Sequence, residues 1–357
     1  MTKILFISRA YPPIVGGIEN QNYELHQWLA KIAEVKSIIN KRGKFFLPLF
    51  IPYAIWRALF LMWKYDVVLL GDGVLAFIGW KLKFLTKKPV ICVIHGLDLT
   101  YKMKIYQWFW VKCFIKKMDR LIAVGHETIK IGVKKGIPED KFVFIPNGVD
   151  PAKCPGNYTR EDLQQVLKTN LGDKKVILTS GRLVKRKGVA WFVREVLPKL
   201  PENIIYAVSG DGPDFANISR TVEEKKLSDR VEMLGYVSDK VRNILFNTCD
   251  VFVQPNIKIE GDVEGFGISV IEAASCRIPV IASNLEGLKD AIKDGENGFL
   301  VESGNSEAWT GKIKEILVDD NFRREFGIKA SRYVMENYSW EKIAQRYLEE
   351  IEKVVRK

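Results

Sequence analysis

The stretch Lys174-Lys-Val-Ile-Leu-Thr-Ser-Gly-Arg-Leu-Val-Lys-Arg-Lys-Gly188 contains the unit that recurs along this chain: an apolar run, a glycine-containing loop and the start of a helical pattern. The apolar run is continuous, which predicts a parallel strand covered on both faces. Comparable runs, such as Ile4–Ile7, Val90–Ile94 and Val280–Ala282, alternate with helical patterns over the whole length. The sequence therefore predicts an α/β protein with doubly wound parallel sheets.

This alternation pauses between residues 146 and 172, where prolines, glycines and asparagines accumulate as in a linker. A chain of 357 residues allows about two domains. We predict an N-terminal Rossmann-like domain over residues 1–158 and a second over residues 159–338. The segment 339–357 is amphipathic and predicts a C-terminal helix.

All the excess positive charge lies in the first part of the chain. The formal net charge is +12, and residues 1–150 contain 23 Lys and Arg against 11 Asp and Glu, whereas the remaining residues contain 32 of each. A basic half predicts an anionic partner: a membrane surface, a nucleic acid or an acidic substrate. The sequence contains no recognition helix or RNA-binding motif, so we predict no nucleic-acid partner. The five cysteines form no C-x-x-C pair, which disfavours a disulfide scaffold or a zinc site.

Two aromatic and basic segments of this half predict contact with an anionic membrane surface. Phe45–Trp63 is apolar and nearly long enough to span a bilayer, but it contains two prolines and Arg57, which a spanning helix tolerates poorly. In Tyr101–Lys117, lysines alternate with aromatic residues as in interfacial helices, although these aromatic residues could instead pack a helix onto the sheet. The N-terminal apolar run is too short for a signal peptide, so we expect a cytoplasmic protein, with a peripheral position at the inner membrane face left open.

Three loops that follow strands are candidate phosphate or nucleotide sites. Gly16 and Gly17 precede a helix, whose free N–H groups suit a phosphate, although an ordinary strand–helix turn explains them equally well. Arg182 and Lys187 form a candidate diphosphate clamp, while the intervening Lys185 and Arg186 are expected to be solvated. Ser209-Gly-Asp-Gly-Pro213 is only a weak dinucleotide motif, but its position after a strand suits a nucleotide.

Two carboxylates and one histidine complete the candidate site. Glu264 and Glu272 are separated by seven residues, and the apolar residues between them disfavour a simple solvated helix face. Ionised carboxylates accept strong hydrogen bonds from sugar hydroxyls. His95 follows a predicted strand at the edge where open α/β sheets bind ligands, although a lone histidine is more often structural. We expect Glu260 and Asp262 to lie on an exposed loop, and we predict no metal site.

Taken together, these motifs resemble the family 4 retaining glycosyltransferases, which use nucleotide sugars. The matching segments are YPPIVGGIE (residues 11–19), HGLD (95–98), IPNGVD (145–150), GRLVKRKG (181–188), SGDGP (209–213), LGYVSDKV (234–241), EGDVEGFGISVIEAASCRIPVIAS (260–283) and DGENGFLV (294–301). The resemblance implies the GT-B fold: two Rossmann-like domains that face a central cleft, with the last helix crossing back to the first domain. It departs from the family pattern after the first helix, where the second strand looks shortened.

The resemblance also implies a role for each candidate residue. Arg182 and Lys187 would bind the donor diphosphate with help from Gly16 and Gly17, and His95 would lie beside the reacting carbon. The remaining donor-binding residues would be Gly210, Asp211, Tyr236 and Val237 on the nucleotide side, Glu264, Phe266, Gly267 and Ile268 around the transferred sugar, and Glu272 at the ribose. The catalytic set would be His95, Glu264, Arg182 and Lys187, with no metal and no cofactor besides the nucleoside-diphosphate sugar as co-substrate.

The expected activity is retaining transfer of a hexosyl-type sugar to an acceptor hydroxyl of a glycan or a lipid-linked molecule. Two alternatives stay open: a non-catalytic GT-B-like protein that binds carbohydrate or membrane, and a GT-B epimerase or phosphorylase. Alanine substitution of Arg182 or Lys187 is expected to depress transfer strongly and to leave the fold intact.

Overall fold

The structure of the chain, a computed structural model, describes residues 1–14, 16–101, 103–150 and 156–356. It divides into two compact units: unit 1 comprises Met1–Gly148 with Trp340–Lys357, and unit 2 comprises Val149–Ser339. Each unit contains one six-stranded sheet in which every paired strand is parallel. Parallel strands need crossover connections, so the helices lie on the sheet faces. The predicted doubly wound α/β class is confirmed.

The sheet of unit 1 has the strand order β2-β1-β3-β4-β5-β6. Its strands are β1 Lys3–Ser8, β2 Glu34–Ile39, β3 Val67–Leu70, β4 Val90–Ile94, β5 Arg120–Ala123 and β6 Phe142–Phe144. Its helices are α1 Gly17–Ile32, α2 Leu47–Leu61, α3 Ala76–Thr86, α4 Gly96–Thr100, α5 Lys104–Tyr106, α6 His126–Lys134 and α15 Trp340–Val355, with a π-helical stretch at Gln107–Phe114. The central strands β3 and β4 are buried at every position, as their continuous apolar sequences predict.

The second strand of unit 1 is not shortened, contrary to expectation. The six residues of β2 pair with all of β1, from Lys3 opposite Glu34 to Ser8 opposite Ile39. The strand lies at the edge of the sheet and is exposed at alternate positions. Polar residues such as Glu34 and Lys36 therefore interrupt its apolar run, which hid it from a search for continuous runs.

The sheet of unit 2 has the strand order β12-β11-β10-β7-β8-β9. Its strands are β7 Lys175–Ser180, β8 Ile204–Ser209, β9 Val231–Gly235, β10 Val251–Gln254, β11 Val280–Ser283 and β12 Phe299–Val301. Its helices are α7 Arg160–Leu167, α8 Val189–Glu195, α9 Phe215–Glu224, α10 Asp239–Thr248, α11 Ile268–Ser275, α12 Leu288–Ala291, α13 Ser306–Val318 and α14 Asp320–Tyr338.

The structure divides the chain earlier than the predicted boundary after residue 158. The Val149 N–H donates to the Tyr338 carbonyl over 2.8 Å, and Val149 forms a parallel bridge with Ser339. These backbone contacts attach the chain to unit 2 directly after Gly148. The middle of the predicted linker, Pro151–Pro155, lies outside the described residues.

The C-terminal helix α15 belongs to unit 1. Arg346 donates to the Phe144 carbonyl over 2.9 Å, and Arg120 lies 3.3 Å from Glu350. Thr2 donates to Glu352 over 3.0 Å, and Tyr347 is fully buried. The chain thus leaves unit 1 after Gly148 and re-enters it at Trp340.

The described cysteines include three free thiols, Cys92, Cys113 and Cys249, whereas Cys276 is disulfide-bonded. Within the described ranges, one helical segment, Lys44–Lys64, is long and apolar enough to cross a membrane by length and composition.

Candidate functional site

The sheet of unit 2 has its crevice between β7 and β10. From β7 the chain crosses to β8 on one side, and from β10 it crosses to β11 on the other. Open α/β sheets bind ligands at such a reversal, beyond the carboxyl ends of the strands. The loop 181–188 follows β7 and the loop 255–267 follows β10, so both candidate donor segments lie at this edge.

Close backbone contacts hold these loops together. Gly188 has φ +67°, and a Cβ atom there would lie 1.9 Å from the Pro255 carbonyl oxygen. Only glycine combines that conformation with that approach. The Ile257 N–H also donates to the Arg186 carbonyl over 2.8 Å. The loop after β7 is thereby fixed against the loop after β10.

The loop after β8 joins the same assembly. Gly210 has φ +131°, and a Cβ atom there would lie 1.9 Å from the Gly181 carbonyl oxygen. The Leu183 N–H donates to the Asp211 carbonyl over 2.9 Å. The Asp211 side chain accepts a bond of 2.6 Å from the Gly212 N–H and so stabilises its own turn. Gly210 and Asp211, predicted from the weak glycine motif, therefore hold the loop 181–188, the basic loop, in place.

Lys187 and Glu264 form a buried ion pair at this edge. The Lys187 Nζ lies 2.7 Å from the Glu264 Oε2, and the two side chains are 11% and 9% exposed. Burial alone would raise the pKa of Glu264, but Lys187, Arg186 and the hydrogen bonds from Lys187 and Asn256 together lower it to about 2. The carboxylate is therefore ionised at neutral pH and holds the ammonium group in place.

Arg186 is part of this cluster and not a solvated residue, which corrects the prediction. Its Nη2 lies 3.7 Å from the Glu264 Oε2 and its Nε lies 3.6 Å from the Asp262 Oδ1. Its side chain is 20% exposed. Two carboxylates, Asp262 and Glu264, attract the guanidinium to the site, whereas the sequence led us to expect it in solvent. Glu260 is exposed as expected, while Asp262 is half-buried beside Arg186.

A series of side-chain hydrogen bonds through two amides and a hydroxyl holds Glu264 in place. Asn256 Nδ2 donates to the Glu264 Oε2 over 3.1 Å, and Gln254 Nε2 donates to the Asn256 Oδ1 over 2.7 Å. Ser269, in α11, donates to the Gln254 Oε1 over 3.1 Å. The sequence reading missed Gln254 and Asn256. Their signal was the placement of two amides around Pro255 at the end of an apolar strand.

The predicted nucleotide-side residues are accessible. Arg182 is exposed and has no hydrogen bond or ion pair within the described part of the chain. Tyr236 and Val237 follow β9, and the Tyr236 side chain is 71% exposed. An unpaired guanidinium can receive a phosphate, and an exposed aromatic ring can stack on a planar base.

The start of α11 offers backbone donors rather than side chains. Gly267 precedes the helix with φ +93° and makes no side-chain cap, so the first N–H groups, beginning with that of Ile268, lack a capping acceptor. Phe266 is 2% exposed and packs edge-on against Tyr338 with ring centroids 5.9 Å apart. Its ring therefore lies in the core, and what Phe266 offers a ligand at this loop is its backbone.

Glu272 has a different cationic partner from Glu264. Its Oε1 lies 2.7 Å from the Arg242 Nη2, and this carboxylate is the main cause that raises the pKa of Arg242. The Arg242 guanidinium also lies 5.3 Å from the Phe246 ring centroid. The two predicted glutamates therefore do not share one ion-pair cluster, and Arg242 was missed because it lies on a separate helix, α10.

In unit 1, Gly16 and Gly17 lie at the start of α1, as predicted. Gly16 precedes the helix in an extended conformation and makes no side-chain cap. A Cβ atom on Gly16 would lie 2.1 Å from the Glu19 Oε2, which is the end of a flexible side chain. The Glu19 carboxylate thus occupies the space over this helix terminus.

His95 is buried at the end of β4. Its Nε2 lies 3.2 Å from the Gly71 carbonyl oxygen, which can only accept, so Nε2 carries a proton. Burial lowers the pKa of His95, and the ring is neutral at physiological pH. The backbone N–H of His95 donates to the Asp98 Oδ2 over 2.8 Å, and burial with the nearby charge of Asp72 raises the pKa of Asp98 to about 7. The histidine is both held by the fold and placed at a ligand-binding sheet edge.

No group of three His, Cys, Asp or Glu side chains within the described ranges could hold a metal ion.

Family comparisons cover most of the chain. Residues 17–153 match the model described as Glycosyltransferase Family 4, and residues 160–333 match the model described as Glycosyl transferases group 1. The first match contains most of unit 1, and the second contains the basic loop, the Lys187–Glu264 pair and α11.

Two curated relatives act on lipid-linked acceptors by name. The GDP-mannose-dependent alpha-(1-6)-phosphatidylinositol monomannoside mannosyltransferase of Mycolicibacterium smegmatis is 26% identical over 74% of this chain and 70% of its own length. The UDP-Gal:alpha-D-GlcNAc-diphosphoundecaprenol alpha-1,3-galactosyltransferase of Escherichia coli is 27% identical over 72% of this chain and 67% of its own length.

The fold matches a solved structure over almost the whole chain. The crystal structure of Anabaena HepE in complex with UDP has a TM-score of 0.79 and 19% identity, and the match covers 99% of this chain and 100% of that chain. Two family models, these relatives and this structural match agree with the sequence resemblance. The chain belongs to the family 4 glycosyltransferases and has their GT-B fold.

Proposed function

We propose that the chain is a retaining glycosyltransferase that moves a hexosyl-type sugar from a nucleoside-diphosphate sugar to an acceptor hydroxyl, on a glycan or a lipid-linked molecule at the cytoplasmic face of the membrane. The observation that carries the proposal is the buried Lys187–Glu264 pair, together with the unpaired, exposed Arg182 of the same loop, at the crevice of unit 2. The UDP complex of the HepE neighbour supports a nucleotide donor, and the two named relatives support a lipid-linked acceptor.

In this proposal, the diphosphate of the donor binds Arg182 and Lys187. The Lys187 ammonium has three N–H donors, so it can keep Glu264 and still donate to a phosphate oxygen. Arg182 needs no partner exchange, because it is unpaired within the described residues. The first N–H groups of α11, after Gly267, add donors of fixed direction.

The remaining roles are those that the family resemblance implies. Glu264 accepts from hydroxyls of the transferred sugar, next to the backbone of Phe266, Gly267 and Ile268. Glu272 accepts from the ribose, Tyr236 and Val237 contact the base, and Gly210 and Asp211 shape the nucleotide loop. The resemblance gives His95, whose ring is neutral, a role at the reacting carbon.

The chemistry is governed by the charge of the leaving group. The bond between the anomeric carbon and the β-phosphate oxygen breaks, and the nucleoside diphosphate departs with that electron pair. The acceptor oxygen attacks from the same face, and its proton passes to the departing phosphate oxygen. Cations and N–H groups aimed at this phosphate stabilise the developing charge in the transition state. We predict that the reaction needs no metal, so turnover should persist in EDTA.

A thermal-shift panel of UDP-, GDP- and ADP-sugars identifies the donor, because a ligand that binds the folded state raises its melting temperature. The selected donor should then release its nucleoside diphosphate slowly in water and faster with an acceptor. Binding without turnover would support a carbohydrate-binding protein instead, and an altered donor or a phosphate-dependent cleavage would support an epimerase or a phosphorylase.

A further inference from the structure

We propose that unit 1 binds an anionic bilayer through the outward face of α2, with this helix lying in the plane of the membrane interface rather than crossing the bilayer. The inference deepens the proposed function, since it rests on a lipid-linked acceptor as the reason for membrane contact. The surface is called here the aromatic stripe and consists of Phe45, Leu49, Tyr53, Trp56, Phe60 and Trp63.

The aromatic stripe follows one side of a helix. Its members are three or four residues apart, which places them on one face. Each side chain is between 52% and 91% exposed. Phe45 and Trp63 lie in the short 3-10 turns that extend α2 at its two ends. The stripe exposes five aromatic side chains and one leucine in a single row. A contiguous exposed apolar patch marks an interaction surface, and Trp and Tyr favour the membrane interface.

The opposite face of α2 is fixed in the core. Phe50, Ala54 and Ala58 of α2, with Met62 directly after its end, are at most 2% exposed and belong to the hydrophobic cluster of unit 1. A spanning helix would have to withdraw these side chains from the sheet. The helix therefore has one face committed to the protein and one face available to lipid, which is the pattern of a helix lying in the interface.

The neighbouring helices extend this surface. The hydrophobic cluster that receives α2 also receives α3 and the Gln107–Phe114 helix, and it contains alternate residues of β1, β3 and β4. Alternate residues of a strand point to one side of the sheet, so all three helices cover the same face. Their outward positions include the exposed side chains Phe84, Leu85, Trp108 and Phe109.

In the second aromatic segment, Tyr101–Lys117, some aromatic residues pack onto the sheet and others are exposed to solvent. Trp110 donates through its Nε1 to the Val74 carbonyl over 2.7 Å, and Phe114 packs against the core cluster. Trp108, in contrast, is 56% exposed. Fourteen of the 21 exposed large apolar side chains in the described ranges lie between residues 45 and 109, so the apolar exposure is concentrated in this layer.

The charge around the aromatic stripe favours an anionic membrane as its binding partner, rather than the same basic surface of a second copy of the chain. Between residues 35 and 65 the chain has six Lys or Arg and no Asp or Glu. Lys44 and Lys64 are exposed at the two ends of the aromatic stripe. Two such faces would repel each other in a dimer, while anionic headgroups would attract both.

Flotation of the full chain with vesicles tests the surface. Wild type should bind phosphatidylcholine vesicles that contain phosphatidylglycerol, and less well at high salt. The triple variant Trp56→Ser, Phe60→Ser, Trp63→Ser should have a vesicle partition coefficient at least about tenfold lower than that of wild type, because three exposed apolar groups are lost. The control Val318→Ser removes a side chain that is 84% exposed in unit 2 and should bind like wild type. Equal binding by the triple variant and wild type would overturn the proposal.

Fluorescence quenching tests the in-plane orientation. Lipids brominated near the headgroup should quench the protein more than lipids brominated near the acyl terminus, and the excess should shrink in Trp56→Phe, Trp63→Phe, which leaves Trp108 as an exposed tryptophan of this surface. Stronger quenching at the acyl terminus would show a spanning helix and overturn the proposal. So would dimerisation that the triple variant abolishes without any vesicle binding by wild type.

Donor turnover separates this inference from the proposed function. The triple variant lies in unit 1, away in sequence from the donor loops, and should still hydrolyse the nucleotide sugar in solution. Vesicle binding by a chain that turns over no nucleotide sugar would refute the proposed function and leave the docking surface standing. Normal turnover with no vesicle binding would refute the surface alone.

Discussion

At the scale of single residues, Lys187 and Glu264 carry opposite charges at a depth where neither would be stable alone. Their polar atoms are 2.7 Å apart, and Asn256 and Arg186 supply further positive or donating groups around the carboxylate. Burying two ions costs several kcal/mol each, about as much as their pairing returns, so the pair is kept for what it positions. It holds an ammonium at the crevice of unit 2.

Removing Lys187 should therefore cost stability as well as activity, which revises the expectation from the sequence that Lys187→Ala leaves the fold intact. The variant leaves Glu264 as a buried charge without its main partner, at a cost of about 3–5 kcal/mol. Urea unfolding measures this loss. Lys185→Ala, an exposed cation of the same loop, is the matched control and should unfold like wild type. Equal unfolding midpoints for the two variants would contradict the buried pair.

The pH dependence of unfolding should report the same carboxylate. The pKa of Glu264 is about 2 in the folded protein against an ordinary value of 4.5. A lowered pKa stabilises the fold above the unfolded value, and this contribution is lost as the pH falls from about 4.5 towards 2. Wild type should thus lose up to about 3 kcal/mol more than Glu264→Gln over this range. Parallel stability curves for the two proteins would show that the carboxylate is not held in this way.

Arg182 should behave differently, because it is exposed and has no partner among the described residues. Arg182→Ala should change the free energy of unfolding by no more than about 0.5 kcal/mol. Its kcat/KM for the donor should fall by about two orders of magnitude, the usual loss for one donor aimed at a developing anion. Steady-state kinetics beside Lys185→Ala provides the comparison. A variant with wild-type kinetics would remove Arg182 from the diphosphate site.

At the scale of elements, the site depends on loops that touch through their backbones. Gly188→Ala would place a Cβ atom 1.9 Å from the Pro255 carbonyl oxygen in a backbone conformation that already disfavours alanine. Gly295→Ala imposes similar φ strain, with φ +75° and no described atom within 4 Å of the added carbon. We expect Gly188→Ala to raise the KM for the donor and lower the melting temperature, while Gly295→Ala costs only about 1 kcal/mol. Equal effects would show that the close approach is unimportant.

The sequence predicted those elements whose local chemistry is distinctive. Continuous apolar runs gave β3, β4 and β7, and the spacing of Arg182 and Lys187 gave a loop that lies at the predicted sheet edge. The edge strand β2 was not predicted at its full length, because its exposed positions carry polar residues that interrupt the apolar run. Arg186 and Arg242 escaped because their carboxylate partners are distant in sequence. An ion pair between residues that are distant in sequence produces no local sequence pattern, whereas a buried strand produces a continuous apolar run.

At the scale of the whole molecule, the two units have different chemical characters. Residues 1–150 hold the entire net charge of +12 and most of the exposed apolar side chains, and they form most of unit 1. Unit 2 holds the Lys187–Glu264 pair, the unpaired Arg182 and the free start of α11. This division matches a protein that meets a membrane with one unit and a soluble nucleotide sugar with the other. It also means that the two activities can be measured separately.

In the proposed function, unit 2 binds a nucleotide sugar through Arg182 and the Lys187–Glu264 pair. Isothermal titration of the full chain with the UDP-, GDP- or ADP-sugar that gives the largest thermal shift tests it most directly. We predict saturable binding by wild type and by Lys185→Ala, and binding at least about tenfold weaker for Arg182→Ala. No heat of binding for any of these sugars at millimolar concentration, or equal affinity of Arg182→Ala and wild type, would contradict the claim.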